Sequence, residues 1–322
     1  MSILIRGAGI AGLVLAHELA QAGRKVVIAE VATAPGLGAS HYAGGMLAPF
    51  CEGETASADL VRLGAEAIGW WKRALPAEVT HAGTLVVAPA RDAGELRRFA
   101  SRTTNHVWLN AERVAEKEPD LAGRFSQALF FAEEAHLDPR RVMAALAVKL
   151  EAMGVELRLG EDASEQVETA FEAVIDCTGR LALGNATELR GVRGEMLVVE
   201  TPEVTLARPV RLLHPRIPLY IVPRSASRFM IGATMIESED DGPASVRSVM
   251  ELLNAAYALH PAFAEARLIE TGTGIRPAYP DNFPRFSRQS ANRYRLNGFY
   301  RHGFLLAPAL ARQAVRELGG TA

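Results

Sequence analysis

Cysteine is almost absent from this chain of 322 residues: Cys51 and Cys177 stand alone, far apart, outside any CxxC or Cys/His ligand spacing. That excludes a disulfide framework and offers no zinc site, and both thiols are expected reduced, Cys177 as a core residue. No run of 18 or more apolar residues is present to cross a bilayer. The chain opens directly on Ser2-Ile3-Leu4-Ile5, without a basic leader or cleavage site, so a cytoplasmic location is expected. Neither sign of charge is in excess: 35 Lys and Arg against 37 Asp and Glu leave −2, which argues against a nucleic-acid binder held by phosphate neutralisation. Repeats, low-complexity stretches and Pro/Gly/Ser linkers are also missing, so any second domain is interwoven with the first. What remains, 49% hydrophobic and 22% charged residues, is the balance of an ordinary globular protein. At about 150 residues per domain the length suits two domains, or one large α/β unit with an insertion.

The N-terminus reads as a βαβ unit: apolar Ile3 to Ile5, a glycine turn, a helical stretch from Ile10 to Ala22 ended by Gly23, and a strand Lys25 to Glu30. The turn, Gly7-Ala8-Gly9-Ile10-Ala11-Gly12, is a GxGxxG. The first glycine permits the tight turn, the second lets backbone approach a pyrophosphate, and the third lets helix and strand pack closely. Glu30 ends the next strand, where a carboxylate accepts hydrogen bonds from a ribose diol and repels a 2′-phosphate. A dinucleotide cofactor is expected, the carboxylate counting against NADP, with a purely structural glycine turn as the alternative. Arg6 is unusual, because an apolar residue normally closes this strand. Further on, a helix is expected over residues 138–153 after Asp138-Pro139, a strand from Val155 to Leu159, and a buried strand from Val174 running into Gly179. Alternating segments at Glu195 to Glu200, Leu219 to Val222 and Phe229 to Gly232 suggest a separate antiparallel sheet. Helices are expected over residues 245–258 and 303–318.

After Glu30 the chain does not continue as a regular NAD-type βαβαβ. Instead comes Ala39-Ser40-His41-Tyr42-Ala43-Gly44-Gly45-Met46-Leu47-Ala48-Pro49, suited to passing close under a flat ring system. With the opening glycines this segment resembles the D-amino-acid oxidase superfamily of FAD proteins, nearest the glycine oxidases of thiamine biosynthesis (ThiO type). The resemblance extends through Asp138-Pro139-Arg140, Gly194-Glu195-Met196-Leu197, Tyr220-Ile221-Val222-Pro223-Arg224, Ile231-Gly232-Ala233-Thr234, Gly274-Ile275-Arg276-Pro277 and Tyr300-Arg301-His302-Gly303-Phe304-Leu305-Leu306-Ala307-Pro308. It implies an α/β fold in which a Rossmann-like, glutathione-reductase-type FAD domain (1–50, 130–193 and 270–322) is interwoven with a mixed or antiparallel-sheet substrate domain (51–129 and 194–269). Bound FAD would meet Gly7, Gly9, Ile10, Ala11, Gly12, Glu30, Val31, Ala39 and Ser40 along its nucleotide half, with Ala163 and Gly179 nearby. Gly44, Gly45 and Met46 would run beside the isoalloxazine, and Phe299, Tyr300, Arg301, His302, Gly303, Phe304 and Leu305 would wrap its pyrimidine edge. A helix starting near Gly303 would place its positive end where the reduced ring is negative.

The resemblance also implies roles at the substrate. Arg276, on a stiff Gly-Ile-Arg-Pro backbone, would clamp the substrate carboxylate bidentately, Tyr220 would reach the same carboxylate, and Arg301 would be a second active-site arginine. The reaction implied is oxidative deamination of glycine to its imine, giving glyoxylate, ammonia and peroxide with dioxygen, or supplying thiazole synthesis. Two departures stand out: Pro218 occupies the place of a glycine-oxidase histidine, and Gly179-Arg180-Leu181 lacks a tryptophan common in the wider family. Oxidation of sarcosine, proline or a small D-amino acid therefore stays open as an alternative, as does, in another class, a non-catalytic flavin or NAD-sensing module. Hand-off to a thiazole synthase and homo-oligomerisation are further options the resemblance leaves open. Trp70-Trp71 read as a helix face packing the substrate domain, Arg97-Arg98 as a solvated face, and Glu52 as a loop residue near the site entrance.

Overall fold

The structure, a computed structural model, describes residues 2–162, 170–185, 188–214 and 219–319; Ala163 and Pro218 lie outside them. Its first layer is a six-stranded sheet in the order Arg285–Arg288, Arg293–Asn297, Ala173–Asp176, Ser2–Arg6, Lys25–Glu30, Glu156–Leu159. All neighbours pair in parallel except the Arg285–Arg288/Arg293–Asn297 hairpin. Ile3, Leu4 and Ile5 are fully buried, as a central parallel strand covered on both faces requires. The chain leaves Ser2–Arg6 towards one side and returns on the other at Ala173–Asp176, so the order reverses beside this strand. Ligands of such sheets bind outside the carboxyl ends of the strands at that point.

Three helices cover the same region. Ile10–Gln21 and Gly303–Glu317 pack side by side, so closely that a Cβ on Gly303 would lie 2.9 Å from Ile10 Cγ2. The helix Ala58–Ala74 lies against the second of these, with Gly64 admitting Leu305. Here the expectation for Trp70-Trp71 is corrected. Both indoles sit in the core of the parallel-sheet layer, with Trp70 Nε1 donating to Glu18 Oε1 at 2.8 Å and Trp71 Nε1 to the Phe304 carbonyl at 2.8 Å. An amphipathic pattern shows which helix face is buried and not what covers it.

The second layer is a nine-stranded mixed sheet: Ile236–Glu237, Arg190–Glu200, Arg228–Gly232, Leu219–Pro223, Val210–Leu212, Thr84–Val87, Gln127–Phe131 and Val107–Asn110 in order, with Arg267–Ala278 paired to the second of these. Only the Val210–Leu212/Thr84–Val87 pairing is parallel. The helix Val246–Leu259 joins its core. The two long strands run as one ladder from Arg190↔Ala278 to Glu200↔Arg267, and the expected boundaries at 193/194 and 269/270 fall inside them. Arg97 and Arg98 are exposed and both cysteines are buried thiols. Among the described residues no helix is long and apolar enough to cross a membrane, and no cluster of three His, Cys, Asp or Glu could hold a metal ion.

Candidate active site

A cavity of about 770 Å³ opens at the carboxyl end of Ser2–Arg6, within the roughly 300–1,000 Å³ of small-molecule sites. Gly7, at φ +100°, makes the turn, and a Cβ there would meet the Cys177 carbonyl oxygen at 2.6 Å. Gly9 faces open space, since its Cβ would meet nothing nearer than Ser40 Oγ at 3.6 Å. Gly12 lies beneath, where a Cβ would overlap the Gly7 carbonyl oxygen; it packs the turn rather than lining the cavity. The Ile10–Gln21 helix has no acidic residue in its first turn and no side-chain hydrogen bond at its cap residue, while Ser40 Oγ accepts from the Ile10 N–H at 3.2 Å. Glu30 also lines the cavity, with Oε2 accepting from the Ala8 N–H at 2.6 Å and Oε1 from the Ala32 N–H at 2.9 Å. Ile10, Ala11, Val31, Ala39, Gly44, Gly179, Phe299, Tyr300, Arg301, Gly303 and Phe304 complete the expected residues found on this wall. The Gly303–Glu317 helix also starts here without an acidic first turn, so two positive helix ends face one cleft.

At its inner end, beside Gly44, Tyr220, Arg276 and Arg301, the cavity adjoins a pocket of about 100 Å³ that Gly45, Met46, His302 and Leu305 also line. Arg276 Nη1 donates to the Thr234 carbonyl at 3.0 Å, and among the described residues it has no carboxylate partner. Burial lowers its pKa, while the neighbouring Tyr220 and Tyr300 favour its charge. Burial likewise raises the Tyr220 phenol, against the pull of Arg276 and Arg301. Arg301 is exposed and ion-paired: Nη2 lies 2.8 Å from Glu52 Oε2 and 3.0 Å from Thr55 Oγ1.

Glu52 is therefore no loose loop residue. It ends the short helix Pro49–Glu52 and also meets Arg211 Nη1 at 3.3 Å and His302 Nδ1 at 3.6 Å. Burial alone would raise its pKa, but Arg301, His302 and Arg211 hold it down at about 2. Burial drives His302 the other way, to about 4, despite Glu52, so the imidazole is neutral at pH 7.

The sequence reading gave no role to Arg211 and missed what Gly194 does. Arg276 lies across the ladder from Val192, and a Cβ on Gly194 would overlap its guanidinium. Tyr220 is seated similarly, with Cβ positions on Gly44 and Gly232 falling 2.7 and 2.9 Å from its ring. Glycines inside strands signal close approach, but the approaching partner comes only with the register. Arg6 Nη2 pairs with Asp162 Oδ1 at 3.0 Å on the cavity wall.

The cleft at the glycine turn, leading to a small pocket lined by Arg211, Arg276 and Arg301, is the site of an oxidoreductase. The chain belongs to the family of FAD dependent oxidoreductases (DAO), which it matches over residues 2–317, and FAD is its cofactor. The residues present fit it: the open face of Gly9 and two helix starts without an acidic first turn suit a diphosphate and an electron-rich ring. Across 318 residues, 99% of this chain and 96% of the relative, it is 58% identical to a Rhizobium etli protein provisionally named thiamine biosynthesis oxidoreductase ThiO. It is 27% identical to the bifunctional protein ThiO/ThiG of Synechocystis, matching over 96% of this chain but 50% of that one. Among solved structures, glycine oxidase from Geobacillus kaustophilus superposes with a TM-score of 0.83 at 25% identity, covering 100% of this chain and 95% of that one.

Proposed function

We propose that this enzyme oxidises glycine to its imine and thereby supplies the thiazole moiety of thiamine. The observation that carries this reading is Arg276, a guanidinium without a carboxylate partner among the described residues, at the wall of a pocket large enough for a small amino acid. A partly buried arginine facing a pocket favours an anion, and its planar fork matches a carboxylate. Tyr220 lies beside it and would add a phenolic hydrogen bond to the same group. Bound FAD would supply a hydride acceptor for the substrate Cα–H, with dioxygen as the final oxidant giving peroxide. The protein's part is positioning, which can contribute on the order of 7–11 kcal/mol at best. Arg276 and Tyr220 fix the carboxylate end, so the Cα–H has one orientation. The cationic lining of the pocket, with His302 neutral, favours the uncharged amine over the ammonium that would resist losing a hydride. The start of Gly303–Glu317 favours negative charge on the adjacent cavity wall.

The names of the Rhizobium and Geobacillus relatives support the substrate and the pathway. The Synechocystis relative, bifunctional ThiO/ThiG, supports passing the imine to a second enzyme, a thiazole synthase by the resemblance above. A division into two units is also our reading, with the FAD unit built on the six-stranded sheet and the substrate unit on the nine-stranded one, and with Arg190–Glu200 and Arg267–Ala278 kept whole in the latter rather than cut at 193/194 and 269/270. The test is product analysis: purified holoenzyme with glycine in air should give glyoxylate, ammonia and peroxide. Turnover of sarcosine or D-proline with none of glycine would move the substrate and overturn the proposal.

A further inference from the structure

The small pocket holds more positive charge than one amino acid can answer. Three guanidiniums line it, Arg276, Arg301 and Arg211, against one carboxylate among the described residues, Glu52. Arg301 and Arg211 share that carboxylate, at 2.8 and 3.3 Å, and Arg276 has none. Two positive charges on the wall therefore lack a partner on the wall. Glu134 and Glu54 also act on Arg211, but neither lines the pocket, and burial raises the Glu134 pKa to about 7 despite the Cys51 N–H it accepts. A substrate with one carboxylate and a neutral amine supplies a single negative charge, which Arg276 takes.

Arg211 is set up to take another. It stands on the strand Val210–Leu212 beside Tyr220, its cross-strand partner, with its side chain only 12% exposed and its guanidinium 5.6 Å from the Phe99 ring centroid. Among the described residues its one hydrogen bond is to Glu52 Oε1, so most of its five N–H donors have no protein acceptor there. A desolvated fork with free donors binds a planar anion strongly. A pocket of about 100 Å³ is also several times the space one water needs, on the order of 10–15 Å³, which leaves room beyond a glycine-sized ligand.

We propose that Arg211 forms a second anion subsite, so that the pocket also takes amines bearing two carboxylates, one group on Arg276 and Tyr220 and the other on Arg211. This rests on the carboxylate-clamp reading of Arg276 and extends its substrate class. The experiment titrates oxidised holoenzyme with acetate, malonate and succinate at fixed ionic strength and follows the bound flavin's visible bands. Wild type should bind the better of the two dicarboxylates at least tenfold more tightly than acetate. In Arg211→Met that preference should fall to within about twofold, with the acetate constant itself moving less than threefold. A wild type with no preference, or a preference that survives Arg211→Met, overturns the proposal. Should Arg211→Met fail to hold FAD, Arg211→Lys replaces it; there the charge remains, the fork is gone and the preference should drop severalfold, while an unchanged preference overturns the proposal as before. Glycine that leaves the wild-type flavin oxidised while the dicarboxylate preference holds defeats the proposed function and not the subsite. Reduction by glycine with no such preference defeats the subsite alone.

Discussion

Replacing Gly194 by alanine should disable the enzyme without unfolding it. In the ladder, Gly194 pairs with Gly274 two positions from the Val192↔Arg276 pair, and the guanidinium of Arg276 lies over it. A Cβ at Gly194 would overlap Nη2 and Cζ and approach Nη1 to 2.7 Å. The colliding atoms are the far end of a flexible side chain, so the strand tolerates the methyl group and Arg276 moves instead. It then loses its 3.0 Å bond to the Thr234 carbonyl and its aim into the pocket. Hydrogen bonds to a charged group are worth about 1.5–3 kcal/mol each, and a misplacement near 1 Å can cost about 10²-fold in rate. Losing most of a bidentate clamp should therefore lower kcat/KM by about 10²–10³, or roughly 3–4 kcal/mol. Anaerobic stopped-flow reduction by glycine measures this, with the flavin-to-protein absorbance ratio showing that FAD stays bound. A Gly194→Ala enzyme within threefold of wild type would refute the reasoning, because Arg276 would then function from another position.

Arg276→Ala should lower kcat/KM for glycine by about 10²–10⁴ and leave FAD bound, since a substrate charge would lose its partner; steady-state peroxide assays and the flavin spectrum decide. Glu30→Ala should weaken FAD binding about tenfold or more in apoprotein titrations, because it frees the Ala8 and Ala32 N–H groups that the carboxylate pins and, on the proposed reading, removes an acceptor for the ribose. Glu134, raised to about 7 in the fold from an ordinary 4.5, keeps its proton there when the unfolded chain has lost it. Stability should fall as pH rises from about 4.5 to 7. Glu134→Gln keeps an acceptor for the Cys51 N–H, now 2.8 Å from Oε1, so it should flatten that slope and raise Tm at pH 8 relative to wild type, as differential scanning calorimetry at pH 5 and 8 would show.

The parts legible in the sequence were those whose signal is local. The GxGxxG turn, Glu30 closing the next strand, and the Asp138-Pro139 helix start each carry their reason within a few residues, and the structure places them as expected. Arg276 stood out through the family resemblance of its Gly-Ile-Arg-Pro context, and the structure puts it on the pocket wall. Contacts set by register were not legible. Nothing near Gly194 in sequence reveals that it faces Arg276, and nothing near Glu52 shows that Arg211, from a strand, and Arg301-His302, from the turn before the last helix, converge on it. Trp70 and Trp71 went to the wrong core for the same reason: burial is written in periodicity, the burial partner is not.

The most direct test of the account is an anaerobic absorbance spectrum of the purified holoenzyme before and after adding glycine. Flavin bands that bleach with glycine, and return on admitting air with release of peroxide, are the predicted result. Flavin bands that persist with glycine, at concentrations that saturate acetate binding, would contradict the claim that Arg276 and its pocket present glycine for oxidation.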